Sequence, residues 1–180
     1  MNIRPAILED VYLIDPEVVE DDRGFFARVV CSRTFEQFGL ASTFVQSSVS
    51  FNRQRGTIRG MHYQTAPFEE VKLVRCTMGV VFDVFVDLRP DSPTYTQWEA
   101  VELSAENRRT LYIPNGFAHG FQTLTDKAEV HYQISEVYQP ESQRGFAWND
   151  PTFGITLPEP VSLVSPRDQQ LPRFEKCAAS

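Results

Sequence analysis

What most constrains this chain is a succession of short β-prone runs, each closed by a turn signal. They fall at 11–14, 25–31, 44–51, 57–63, 71–76, 80–88, 98–103, 110–113, 118–124 and 129–134. Each is rich in Val, Ile, Phe or Tyr, the side chains that suit a pleated, half-buried surface. Gly79, between two of these runs, reads as a hairpin turn. One helix is expected early: Ser32 suits an N-cap, Phe35 and Phe38 share a face, and Gly39 stops it. Many short strands without interleaved helices predict an all-β sandwich or barrel with a few short helices. After about Asn149 the chain turns proline-rich (Pro151, Pro158, Pro160, Pro166, Pro172). That composition predicts an ordered wrap and not a second domain, so residues 1–180 read as one domain.

Charge and composition remove several partners. The formal net charge is -7, and nucleic acid or an anionic membrane surface would ask for a basic patch. A few local arginines still suffice for one diphosphate. No apolar run reaches the length that spans a bilayer, and residues 1–5 lack an apolar signal region. Cys31, Cys76 and Cys177 form an odd, widely spaced set with no CxxC pair. Such cysteine usage suits a reducing cytoplasm.

Few residues can carry chemistry, so each can be weighed. His62 lies in Arg59-Gly60-Met61-His62-Tyr63-Gln64. A regular strand would put Ile58, Gly60, His62 and Gln64 on one face, with the glycine leaving room for a ligand. A lone histidine of this kind is more often a core residue with satisfied ring nitrogens. His119 lies in Pro114-Asn115-Gly116-Phe117-Ala118-His119, the PxGxxH turn of cupin barrels, where the histidine ligates a metal. A three-ligand set of His62, Glu69 and His119 is therefore open. Gln64 stands where the first cupin motif has its second histidine, which weighs against a metal.

Alternation places Val130, Tyr132 and Ile134 on one face, turning the phenol toward the apolar side. His131 then falls on the surface side. Lys72 interrupts the apolar run at 71–76 and, if it points inward, needs an anion; Asp83 is the candidate. An edge lysine that blocks aggregation is the plainer alternative. Arg23, Arg59 and Arg167 each stand beside glycine or proline, where forked guanidinium groups can clamp a diphosphate.

Taken together these motifs resemble one family, the dTDP-4-dehydrorhamnose 3,5-epimerases and their sugar-nucleotide relatives. The matching stretches run in family order. They include Asp22-Arg23-Gly24-Phe25-Phe26, Phe44-Val45-Gln46, the segment around His62, Lys72-Leu73-Val74-Arg75, Phe82-Asp83-Val84, 114–121, Trp148-Asn149-Asp150-Pro151 and 165–168. The resemblance implies a cupin-type jelly-roll barrel, a homodimer, and no metal or other cofactor. It implies His62 as base with Asp168 holding its ring, Tyr132 as acid on the opposite face, and Lys72 stabilising the enolate oxygen. Asp83 and His119 would lie near the base or the sugar. Arg23, Phe26, Gln46 and Arg59 would hold the nucleotide sugar, and Tyr138 would lie beside the nucleobase. This chain departs from the family at four places: Ser48 replaces an asparagine, Gln143 a glutamate, Ala147 an arginine and Arg167 a lysine.

The chemistry of that set is coherent. Inverting a carbon beside a ketone needs proton removal on one face and return on the other. Histidine, near pKa ~6.5, accepts a proton at neutral pH, and tyrosine, near ~10, starts protonated. A fixed cation stabilises the negative oxygen between the two transfers. The implied substrate is a nucleoside-diphosphate 4-keto-6-deoxyhexose, with carbon 3, carbon 5 or both inverted. A metal-dependent cupin enzyme and an inactive sugar-binding barrel are the competing readings.

Overall fold

The computed structural model describes residues 1–175; Cys177 lies outside them. The chain opens with β1 (Asn2–Pro5), β2 (Tyr12–Asp15) and a hairpin of β3 (Val18–Asp21) with β4 (Gly24–Ala27). Helix α1 (Ser32–Gln37) leads into β5 (Gln46–Asn52), β6 (Thr57–Gln64), β7 (Lys72–Met78) and β8 (Val80–Asp87). Next come β9 (Trp98–Ser104), β10 (Thr110–Ile113), β11 (Phe117–Thr123) and β12 (Ala128–Ile134). The short β13 (Gln143–Gly145), β14 (Leu163–Val164) and α2 (Pro166–Gln169) follow. The fold is the expected all-β jelly roll of cupin type.

One sheet runs β1-β2-β10-β7-β12-β5 and the other β13-β6-β11-β8-β9, with β14 added parallel to β6. Between them lies a core that includes Leu13, Val74, Val81, Phe85, Leu111, Phe121 and Val130. Two further clusters cover the outer faces. Phe35 of α1 packs with Ile14, Leu73 and Tyr112 outside the first sheet. Phe146, Phe153 and Phe174 lie outside the second, with the Phe146 and Phe153 rings stacked at 4.6 Å. The proline-rich segment is thus a wrap, held by burial of its aromatic side chains.

Three local expectations change. The run at 25–31 pairs only as far as Ala27, which faces Val18 at the start of β3; beyond it Val29 and Val30 border a small hollow with Leu73 and His131. The helix cap is Cys31, not Ser32, and no side chain caps it. Gly79 is not a hairpin turn: β7 pairs with β10 and β12, whereas β8 pairs with β9 and β11. The chain crosses there from one sheet to the other. A Cβ at Gly79 would stand 2.3 Å from Thr125 Oγ1, at φ +72°.

The feature that shapes the site is an irregularity in β6. His119 of β11 faces His62, but Phe121 faces Arg59, so two residues of β11 span three of β6. Such a bulge breaks the period of two. Ile58 therefore does not share a face with His62; it turns with Met61 toward Trp148. Arg59 and His62 instead open into the same cleft. Gly60 makes this possible at φ +116°, where a Cβ would lie 2.6 Å from Gly120 Cα and 2.8 Å from His119 O. Both obstacles are backbone. Glycine to alanine at position 60 should therefore cost about 2 kcal/mol or more, read as a lower urea midpoint at unchanged slope; an unaltered midpoint would contradict the close approach.

Candidate active site

The cleft has two connected lobes. The inner one, about 320 Å³, is bounded by Arg59 and His62 of β6, Lys72 of β7, His119 of β11, Tyr132 of β12 and Asp168 of α2. The outer one, about 400 Å³, adds Gln46, Glu70, Tyr138 and Gln143. Ser48, His62, Lys72 and Ile134 border both.

Asp168 is delivered by the wrap. Ser165 caps α2, accepting the Asp168 N–H at 3.1 Å, with Pro166 at the first helical position. The buried carboxylate accepts from His62 Nε2 at 2.8 Å through Oδ1 and from the Gly60 N–H at 3.3 Å through Oδ2. Burial opposes its ionisation, but the bonds from His62 and Gly60 outweigh that and hold the carboxyl below its ordinary range. With Nε2 donating to the carboxylate, Nδ1 is the basic nitrogen of the His62 ring.

A second pair lies deeper. His119 Nε2 stands 2.8 Å from Asp83 Oδ1, and Asp83 is wholly buried behind the cleft wall. Burial raises the Asp83 pKa against the opposing pull of His119 and Lys72. The Tyr132 ring meets the His119 ring edge-on at 5.9 Å and 77°. Burial first, then the charge of Asp83, push the Tyr132 phenol well above its ordinary value. It therefore stays protonated at any neutral pH.

Lys72 is buried, at 8% exposure, but its partner is not Asp83. Its Nζ stands 2.6 Å from Glu70 Oε1. Asp83 is taken by His119, so Glu70 supplies the anion that an inward lysine requires. The sequence held a faint sign of this, an acid two residues before an inward-pointing lysine.

In the outer lobe, Gln143 Oε1 accepts from both the Tyr138 hydroxyl and Arg167 Nη2. Gln46 Oε1 accepts the Tyr138 N–H at 2.5 Å. Arg59 Nε donates to Asn52 Oδ1 at 2.7 Å, which steadies its guanidinium. Gln64 is buried and ties loops together, donating to Phe68 O at 2.9 Å and accepting the Gln139 N–H at 2.7 Å. The ligand set His62, Glu69, His119 is not assembled: Glu69 is exposed and borders neither lobe. Among the described residues no group of three His, Cys, Asp or Glu side chains is placed to hold a metal ion.

Arg23 and Phe26 do not reach the cleft. Both belong to the β3–β4 hairpin, where Arg23 pairs with Asp21 and Phe26 is 72% exposed. His131, expected on the surface, is half-buried on the outer side of the sheet, with Nε2 2.9 Å from Ser47 Oγ.

The chain is similar to known proteins over most of its length. The model of the dTDP-4-dehydrorhamnose 3,5-epimerase family matches residues 5–176. The dTDP-4-dehydrorhamnose 3,5-epimerase of Escherichia coli is 43% identical over 173 residues, covering 95% of this chain and 93% of that protein. The crystal structure of the Bacillus anthracis 3,5-epimerase with TDP and PPi bound superposes with a TM-score of 0.93 at 39% identity, covering 96% of this chain and 99% of that one. A 3'-monoepimerase from Streptomyces bikiniensis in complex with dTDP-quinovose gives 0.87 at 33% identity, over 94% and 86% of the two chains. With the matched region running from β1 through the α2 wrap that carries Asp168, the chain belongs to the dTDP-4-dehydrorhamnose 3,5-epimerase family.

Proposed function

We propose that this protein epimerises a dTDP-4-keto-6-deoxyhexose beside its ketone, at carbon 3, carbon 5 or both, in deoxysugar biosynthesis of the rhamnose type. The observation that carries this reading is a carboxylate-held histidine and a protonated tyrosine bordering one cleft, with a buried lysine between the lobes. In this reading His62 Nδ1 takes the proton from the carbon beside the ketone. The C–H electron pair moves into a carbon–carbon double bond and the ketone oxygen becomes negative. Lys72 stabilises that oxygen. Tyr132 returns a proton to the other face of the carbon, and exchange with solvent resets both groups. No electrons are gained or lost. Asp168 keeps the ring in the productive tautomer and favours the imidazolium once it forms, as the carboxylate does in a serine-protease triad.

Arg59 and Arg167 suit the diphosphate, and Tyr138 with Gln46, Ser48 and Gln143 suits the nucleobase side. TDP is bound in the Bacillus anthracis relative. The neutral Gln143 gives Arg167 an acceptor without cancelling its charge. His119 and Asp83 back the wall against which the Tyr132 ring rests.

We further read the working unit as a homodimer. Arg23 and Phe26 lie on a hairpin that joins neither sheet, with Val19, Phe25 and Phe26 exposed. The edge strand β5 beside the cleft is open as well, with Val49 and Phe51 exposed. A second copy whose hairpin covers that edge would bring Arg23 and Phe26 to the cleft. Free Cys31 and Cys76 agree with a reducing cytoplasm, and no helix among the described residues is long and apolar enough to cross a membrane.

Incubation with dTDP-4-keto-6-deoxyglucose in heavy water tests the reaction. Deuterium should enter carbon 3, carbon 5 or both, and His62→Ala should lower that entry by roughly 10²- to 10⁴-fold. Near-normal exchange in the variant would return His62 to a packing role. The shared-site reading has its own test in mixed dimers. Arg23→Ala and His62→Ala, each inactive alone, should regain activity when unfolded together and refolded, because one site of each heterodimer is intact. No recovery from a mixture shown to form heterodimers would confine Arg23 to its own subunit.

A further inference from the structure

The two histidines and the lysine that border the inner lobe are each held by their own carboxylate. Asp168 holds His62, Asp83 holds His119, and Glu70 holds Lys72. The third pair is as buried as a surface cleft allows, with side-chain exposures of 10% for Lys72 and 11% for Glu70. Its backbone is fixed too. The Val71 N–H donates to Ser135 Oγ at 2.8 Å and the Ser135 N–H to Val71 O at 3.0 Å. Residue 71 is thereby clamped to the end of β12, and the side chains of residues 70 and 72 are carried on either side of the clamp.

We propose that Glu70 is a positioning residue, which aims the Lys72 ammonium at the junction of the two lobes so that it meets the ketone oxygen as charge develops there. The proposal rests on the reading of Lys72 as the enolate stabiliser. A lysine reaches through four flexible carbons and loses that freedom when fixed. One bond to Glu70 fixes it before substrate arrives, and leaves two N–H donors for the substrate oxygen. Glu70 acts through Lys72 and is not required to touch the reacting atoms.

The test compares Glu70→Ala, Glu70→Asp and Glu70→Gln, each alone and in a Lys72→Met background, by steady-state kinetics on dTDP-4-keto-6-deoxyglucose. Glu70→Ala should lower kcat about 10- to 100-fold, the cost of a misplaced group, with KM changed less than about threefold. Glu70→Gln, whose amide oxygen still accepts from the ammonium, should keep most of the turnover. Glu70→Asp, one methylene short, should fall between, and it keeps the charge if the alanine variant fails to fold. In the Lys72→Met background, Glu70→Ala should cost nothing further. Full turnover in Glu70→Ala, a change confined to KM, or an equal loss with and without Lys72 would each overturn the proposal while leaving Lys72 in its role. Wild-type turnover in Lys72→Met alone would instead remove the reading on which the proposal stands.

Discussion

The hydrogen bond from His62 Nε2 to Asp168 Oδ1 joins residues 106 apart in the chain, at 2.8 Å. It links strand β6 to the wrap that follows the barrel. Asp168 is in place because Ser165 and Pro166 start α2, and α2 is in place because Leu163 and Val164 pair with β6 and Leu171 packs beside Gly145. The aromatic cluster of Phe146, Phe153 and Phe174 anchors the wrap on the outside of the sheet. Burial of that cluster thus connects to the tautomer of one ring in the cleft. A cut or loosened wrap would leave the histidine without its carboxylate while the barrel core stayed intact.

Around that bond the electrostatics follow one rule. Charged groups in the cleft are paired in ways that leave one side free: Nδ1 of His62, the spare ammonium donors of Lys72, the guanidinium edge of Arg59. The phenol of Tyr132 is the exception, since burial and the charge of Asp83 keep it neutral. Base and acid therefore differ through their surroundings as well as their ordinary proton affinities. The pair needs this difference, because one must be empty and the other loaded when substrate arrives.

Much of this was legible in local sequence. The alternation around Tyr132, the lysine inside an apolar run and the PxGxxH turn each identified a residue that the structure brings to the cleft or its wall. Resemblance alone supplied Asp168, since no periodicity relates β6 to a helix so far along the chain. Other features were hidden because one signal serves two structures. Gly79 marks a corner between sheets as readily as a hairpin turn. Gly60 suggested space for a ligand, whereas it lets two strands touch and shifts His62 by one position. Gln64 appeared only as a lost metal ligand, yet it holds two loops. Arg23 and Phe26 matched the family motif, but sequence gives no sign that their hairpin stands away from its own cleft.

The central claim is that His62 and Tyr132 divide the proton transfers between the two faces of one enolate. The most direct measurement follows deuterium entry and sugar inversion in the same sample, for the wild-type protein and Tyr132→Phe. The ring is retained against His119, so the variant should fold with little loss of stability. Deuterium should still enter the starting sugar, returned by His62 to the face it left, while inverted product falls sharply. Inversion at the wild-type rate in Tyr132→Phe, or exchange and inversion lost together in a folded variant, would contradict the account.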